Sequence, residues 1–174
     1  MLRDEQFGFR HKHSTSLQLT RLVERITRNF GEKSLTGAVF LHVFEAFDTV
    51  WIDGLLYKLT LHKFLSYIVQ TISFHLKDRT FEASFQTATS SRLGMRNGVA
   101  QGGLISPVLS SLYVNDMRPH SHYVELALYA EDTAIIATSR KMTLLVSYLE
   151  TYLNDIQCGC VTGESPLISL RAPR

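Results

Sequence analysis

Hydrophobic and polar positions change period several times along the chain. Leu19, Leu22, Val23, Ile26 and Phe30 fall at i, i+3, i+4, i+7 and i+11, the stripe of an amphipathic helix. Thr15 and Gln18 have the spacing of a capping box at its start, and Gly31 suits its end. Gly37 to Phe44 is a continuous apolar run broken only by His42, which predicts a buried strand. A lone histidine in such a run is ordinarily a satisfied core residue. Asp48 and Thr49 offer caps for a helix from Trp51 through Leu61, and a second helix is expected over 64–76. Thr80 to Gln86 alternates, with Phe81, Ala83 and Phe85 on one face, so a half-buried strand is expected there, with 90–96 as its antiparallel partner.

Residues 97–107, NGVAQGGLISP, place three glycines within six residues, which lets backbone approach a ligand closely. Ser106 as N-cap and Pro107 as first helical residue open a helix expected to reach about Met117. Leu126 to Thr138 reads as two strands joined by a tight turn, with Glu131 and Asp132 at its tip. Leu144, Leu145, Tyr148, Leu149 and Tyr152 support a last helix over 141–156. After Cys158 the period is lost, and 158–174 is expected to be an irregular tail.

Two adjacent acids inside so apolar a setting are costly unless a cation or a hydrogen-bond network sits beside them. Glu131 and Asp132 therefore mark either a solvated hairpin tip or half of a divalent-metal site. The 174 residues are enough for one domain with a real core, or a piece of one. A net charge of +2 is too small to argue nucleic-acid binding by itself. The N-terminal 35 residues are more basic, with seven Lys or Arg against four Asp or Glu. Arg10 sits there among Phe7, Gly8 and Phe9, a cluster able to hold a phosphate or a template strand. Cys158 and Cys160 form neither a zinc signature nor a disulfide framework. Neither a membrane-length apolar run nor a signal core is present, so an intracellular protein of nucleus or cytoplasm is expected, with no membrane partner.

Five blocks then carry a resemblance: QFGFRHKHST at 6–15, AVFLHVFEAFDTVW at 38–51, GLLYKL at 54–59, NGVAQGGLISPVLSSLYVNDM at 97–117 and LALYAEDTA at 126–134. In this order and spacing, the chain resembles the fingers-to-palm segment of a non-LTR (LINE-type, jockey-like) retrotransposon reverse transcriptase. The resemblance implies an α+β fold, a right-hand polymerase palm of ferredoxin-like split βαβ type. It divides the chain into a partial fingers segment (1–36), a palm (37–157) and the tail, with the thumb missing. It implies an RNA template, a DNA primer and dNTP as partners, and two Mg²⁺ ions as cofactor, held by three aspartates.

In this sequence those three aspartates fall on His42, Glu131 and Asp132, so the catalytic and metal-binding set would be His42, Glu131 and Asp132, with the Val43 carbonyl as a further ligand. Phe47 matches the aromatic that selects deoxynucleotides, against a reading as plain core packing. Gly98, Gln101 and Gly102 match the turn that supports nucleotide and template. Two changes put the activity in doubt. Neutral imidazole is a poor Mg²⁺ ligand and its protonated form repels the ion. Glu131 adds one methylene, and a misplacement near 1 Å can cost about 100-fold in rate. The chain is expected to be a catalytically impaired reverse transcriptase, with at most a trace of Mn²⁺ activity. The alternatives are a non-enzymatic remnant or nucleic-acid-binding module and, ranked last, another two-metal palm enzyme such as a nucleotide cyclase.

Overall fold

A computed structural model describes residues 2–42, 46–119 and 121–157. In chain order the elements are helix α1 (Thr15–Gly31), strand β1 (Leu35–His42), helices α2 (Ile52–Leu61) and α3 (Ser66–Leu76), strands β2 (Thr80–Phe81), β3 (Ser84–Phe85), β4 (Ala88–Thr89) and β5 (Leu93–Gly94), helix α4 (Ser106–Tyr113), strands β6 (Val124–Tyr129) and β7 (Asp132–Ser139), and helix α5 (Met142–Gln157). Helices and small sheets are thus mixed. The described residues fall into two compact units, one from 46–113 and one from 2–42 with 114–157.

The second unit is built on an antiparallel sheet in the order β1-β7-β6. Its register runs from Leu35↔Ser139 to His42↔Asp132 and from Val124↔Ala137 to Tyr129↔Asp132. Because strand side chains alternate, this register sorts the sheet into two faces. One face carries Val39, Leu126, Ile135 and Ala137 and packs against Leu145, Leu149, Tyr152 and Ile156 of α5, with Met117 and Val124. Burying side chains of this kind stabilises by roughly 1.5–3 kcal/mol each. The other face carries the buried Ala127, Ala134 and Ile136, the polar Thr36, Thr138 and Glu125 and, at its far end, His42, Tyr129 and Asp132. Helix α1 reaches that face through polar groups: Asn29 Nδ2 donates to Thr36 Oγ1 and Thr138 Oγ1, and Arg21 Nη2 donates to Glu125 Oε1 at 2.7 Å.

That attachment inverts the expected orientation of α1. Gln18 and Asn29 are its buried residues, while Leu19, Val23, Ile26 and Phe30 of the apolar stripe are exposed. Its cap is Ser14, whose Oγ accepts from Leu17 N at 3.2 Å, rather than a Thr15–Gln18 box, because Gln18 turns inward to Glu5 O and Leu128 O. Strand β1 is also not fully buried: among the described residues β7 is its only partner strand, and it alternates between exposed and half-buried residues, as a sheet-edge strand does. His42 is accordingly exposed rather than a core histidine.

In the first unit, α2 buries Leu55 and Leu59, and Lys58 Nζ donates to Tyr113 O at 2.6 Å. Its N-cap is Trp51, with no side-chain capping bond, so neither Asp48 nor Thr49 caps it. Helix α3 starts at Ser66, two residues later than expected, and buries Leu76. The expected hairpin over 80–96 reduces to two short pairings, β2 with β5 and β3 with β4, all of whose residues are exposed. The alternation of Phe81 and Phe85 therefore does not mark a half-buried face. Helix α4 stops at Tyr113 instead of reaching Met117, which is buried in the core of the other unit. Ser106 is the first helical residue, and among the described residues its buried Oγ has no hydrogen-bond partner, so it does not cap. The expected tail with Cys158 and Cys160, and the candidate ligand Val43, lie outside the described residues. Among the described residues no helix is long and apolar enough to cross a membrane.

Candidate active site

The site begins with a hairpin whose strands have reason to be strands. Strand β7 is rich in β-branched residues (Thr133, Ile135, Ile136, Thr138), and β6 places Leu126 and Leu128 on the α5 face. Tyr129 pairs with Asp132, leaving Ala130 and Glu131 as a two-residue turn. Ala130 takes φ 54°, the left-handed region that hairpin turns of this length require. For a residue with a Cβ this conformation costs roughly 1–2 kcal/mol.

Strand β1 delivers His42 to the same rung. Its Nδ1 lies 2.9 Å from Asp132 Oδ1, and both side chains are mostly open to solvent. His42, Asp132 and Tyr129 also line one end of a cavity of about 330 Å³ whose other walls include Gln18, Leu22 and Phe40. Glu131 is half-buried in the turn itself.

Two of the candidate ligands, His42 and Asp132, are thus in contact and Glu131 is next in the turn, but this donor set does not fit two Mg²⁺ ions. Mg²⁺ takes hard oxygen ligands in tight octahedral geometry. Here one of the three groups is an imidazole, and it engages an oxygen of the adjoining carboxylate. Among the described residues no three His, Cys, Asp or Glu side chains gather where a metal ion could be held.

The other candidates belong to different settings. Phe47 and Gly98 meet in the first unit: Val99 N donates to Phe47 O at 2.7 Å and Gly98 N to Val50 O at 2.8 Å. Gly98 has φ 88°, and a Cβ there would lie 2.9 Å from both Cα and O of Asp48. Only glycine allows that approach. Asp48 thus supports the turn with its backbone. Gln101 and Gly102 follow in the exposed part of the same turn. Arg79, which the sequence does not single out, closes it from the other side. Its Nη2 donates to Gly98 O, and its Nε donates to Leu76 O at the end of α3.

Arg10 is turned toward its own chain. Its Nη1 donates to Arg3 O at 2.7 Å and Gln6 O at 3.1 Å. Arg3 is paired with Glu5, and Arg21 and Arg25 with Glu125, so four of the cations in the basic N-terminal stretch have internal partners. The Arg3 guanidinium holds the Glu5 carboxyl below its ordinary value, against the opposing effect of burial.

Comparison with known proteins agrees with the resemblance. Residues 1–159 match the family described as reverse transcriptase (RNA-dependent DNA polymerase). The chain is 34% identical over 167 residues to the probable RNA-directed DNA polymerase from transposon BS of Drosophila melanogaster, covering 92% of this chain and 18% of that protein. It is 35% identical over 159 residues to the RNA-directed DNA polymerase from mobile element jockey of the same species, covering 87% and 17%. It is 36% identical over 141 residues to the probable RNA-directed DNA polymerase from transposon X-element, covering 79% and 15%. The chain therefore spans less than a fifth of the length of these curated relatives. It belongs to the reverse transcriptase family, as a domain homologous to the RNA-directed DNA polymerases of non-LTR retrotransposons.

Proposed function

We propose that this chain is a fingers-to-palm segment of an RNA-directed DNA polymerase in which nucleotidyl transfer with Mg²⁺ is lost. The observation that carries the reading is the 2.9 Å contact between His42 Nδ1 and Asp132 Oδ1 on one rung of the sheet. The position that would supply an anionic oxygen supplies an imidazole instead, and that imidazole engages the one aspartate that remains. In this reading 1–36 is a partial fingers segment and 37–157 a palm of split βαβ type. RNA template, DNA primer and dNTP are the ligands toward which Phe47, Gly98, Gln101 and Gly102 are disposed. Four of the seven N-terminal cations, Arg3, Arg10, Arg21 and Arg25, are engaged internally, which favours this reading over a module that only binds nucleic acid.

Primer extension on poly(rA)·oligo(dT) tests it, first in Mg²⁺ and then in Mn²⁺. The expected result is silence in Mg²⁺ and at most a trace in Mn²⁺, the ion that better tolerates a nitrogen ligand. Extension in Mg²⁺ by the unaltered chain would overturn the reading.

A further inference from the structure

We propose that Gln6 is the positioning residue of the acidic turn, holding Ala130 in its left-handed conformation and so setting how Glu131 and Asp132 are presented beside His42. This inference rests on the reading of that turn as the altered active site.

A two-residue hairpin loop with alanine, rather than glycine or asparagine, at the left-handed position is not the conformer its sequence prefers. Something outside the loop must hold it. The N-terminal segment runs alongside β6: Gln6 forms an isolated parallel bridge with Leu128, Leu128 N donates to Glu5 O, and Phe7 N donates to Leu128 O at 2.9 Å. The Gln6 side chain is 1% exposed. Its Oε1 accepts from Gly8 N at 2.8 Å and from Ala130 N at 3.2 Å.

Three features make this a fixed hold. Two backbone N–H groups converge on one oxygen, so the orientation of the amide is determined, even though its buried Nε2 has no partner among the described residues. The segment that carries Gln6 is itself anchored, by Arg10 Nη1 on the carbonyls of Arg3 and Gln6 and by Gln18 Nε2 on those of Glu5 and Leu128. The passage also admits glycine alone at position 8, where a Cβ would lie 2.1 Å from Ala130 N. A buried glutamine that leaves a donor orphaned to bring its oxygen to the turn is costly as mere packing. It is accounted for if the turn needs that oxygen.

The test uses the full chain, isotopically labelled, in solution NMR and needs no catalytic activity. In the unaltered protein, a scalar coupling through the hydrogen bond connects Ala130 N with the Gln6 side-chain carbonyl, and the Ala130 amide exchanges slowly. In Gln6→Met, which keeps the length and removes the acceptor, Ala130 exchange accelerates by about tenfold or more, and the His42 imidazole nitrogen signals shift. The amides of Ile135 and Ile136 keep their rates. Gln6→Glu, which retains an acceptor oxygen, restores both signatures. Unchanged Ala130 exchange and His42 signals in Gln6→Met would overturn the proposal, as would acceleration of Ile135 and Ile136 by the same factor. Should Gln6→Met fail to fold, the unaltered protein decides alone: the coupling supports the proposal and its absence overturns it. Primer extension in Mg²⁺ would sink the functional reading and leave these signals untouched, so the two failures are separable.

Discussion

Asn29 and Thr138 meet at 2.9 Å at the opposite end of the sheet face from His42 and Asp132. The asparagine is 2% exposed and also reaches Thr36 Oγ1 at 2.8 Å, so one amide joins α1 to β1 and β7. Asn29→Ala removes both bonds and leaves two hydroxyls without their donor. A loss of about 1–3 kcal/mol is expected, read as a lower urea midpoint at unchanged slope.

The His42–Asp132 contact predicts a distinct response to metal. In His42→Asp two carboxylates face each other directly across strands, a repulsion of roughly 0.2–1 kcal/mol. The melting temperature of that variant should fall in chelator and recover in Mg²⁺, while the unaltered chain responds to neither. Equal responses would show that the imidazole is not what keeps Mg²⁺ away.

Glu5 and Arg3 predict a pH dependence whose sign follows from the depressed carboxyl. A carboxyl that titrates lower in the folded than in the unfolded state stabilises the fold above its ordinary value of 4.5. That contribution disappears as pH falls below 4.5 through the folded-state value. The stability difference between the unaltered chain and Glu5→Gln should be constant above that point and shrink below it. A difference that grows on acidification would contradict the pairing.

Glycine positions 98 and 102 should separate two effects. Both have φ 88°, but only at Gly98 does an added Cβ meet backbone, that of Asp48. Gly102→Ala should cost about 1 kcal/mol from conformation alone. Gly98→Ala should cost more, because backbone must also shift. Thermal denaturation of the two variants ranks them.

The exposed stripe on α1 predicts that solubility and stability will separate. Leu19→Gln, Val23→Gln and Phe30→Gln together remove apolar side chains that are 62%, 53% and 79% exposed. Each should change stability by no more than about 0.5 kcal/mol. Light scattering on concentration should drop, since contiguous exposed apolar surface drives association. A large fall in melting temperature would mean that the stripe is packed in solution.

The acidic hairpin was legible because period-two alternation, β-branched residues and two acids at the tip all pointed the same way, and the strands came out within two residues of expectation. The α1 stripe was legible as a helix and not as a direction. A period of 3.6 says that one face is apolar; it does not say that the face has a neighbour, and here Gln18 and Asn29 win the sheet because they satisfy backbone and hydroxyl groups there. Over 80–96 the alternation was real and the burial was not, since two short pairings offer no second layer to pack on. The roles of Gln6 and Arg79 depend on contacts across 124 and 19 residues, which no local pattern announces.

The polar seam under α1 gives the sheet two helices that detach by different routes. Releasing α5 uncovers Leu145, Leu149 and Ile156, so its opening is promoted by cold and by urea. Releasing α1 breaks the Arg21–Glu125 and Arg25–Glu125 pairs and a few amide bonds, and opens the face that carries the buried Ala127, Ala134 and Ile136. Its opening therefore responds to salt as well as to denaturant. Ionic strength thus tunes how firmly α1 holds the face whose far end presents His42 and Asp132, and bears less on the apolar contact of α5.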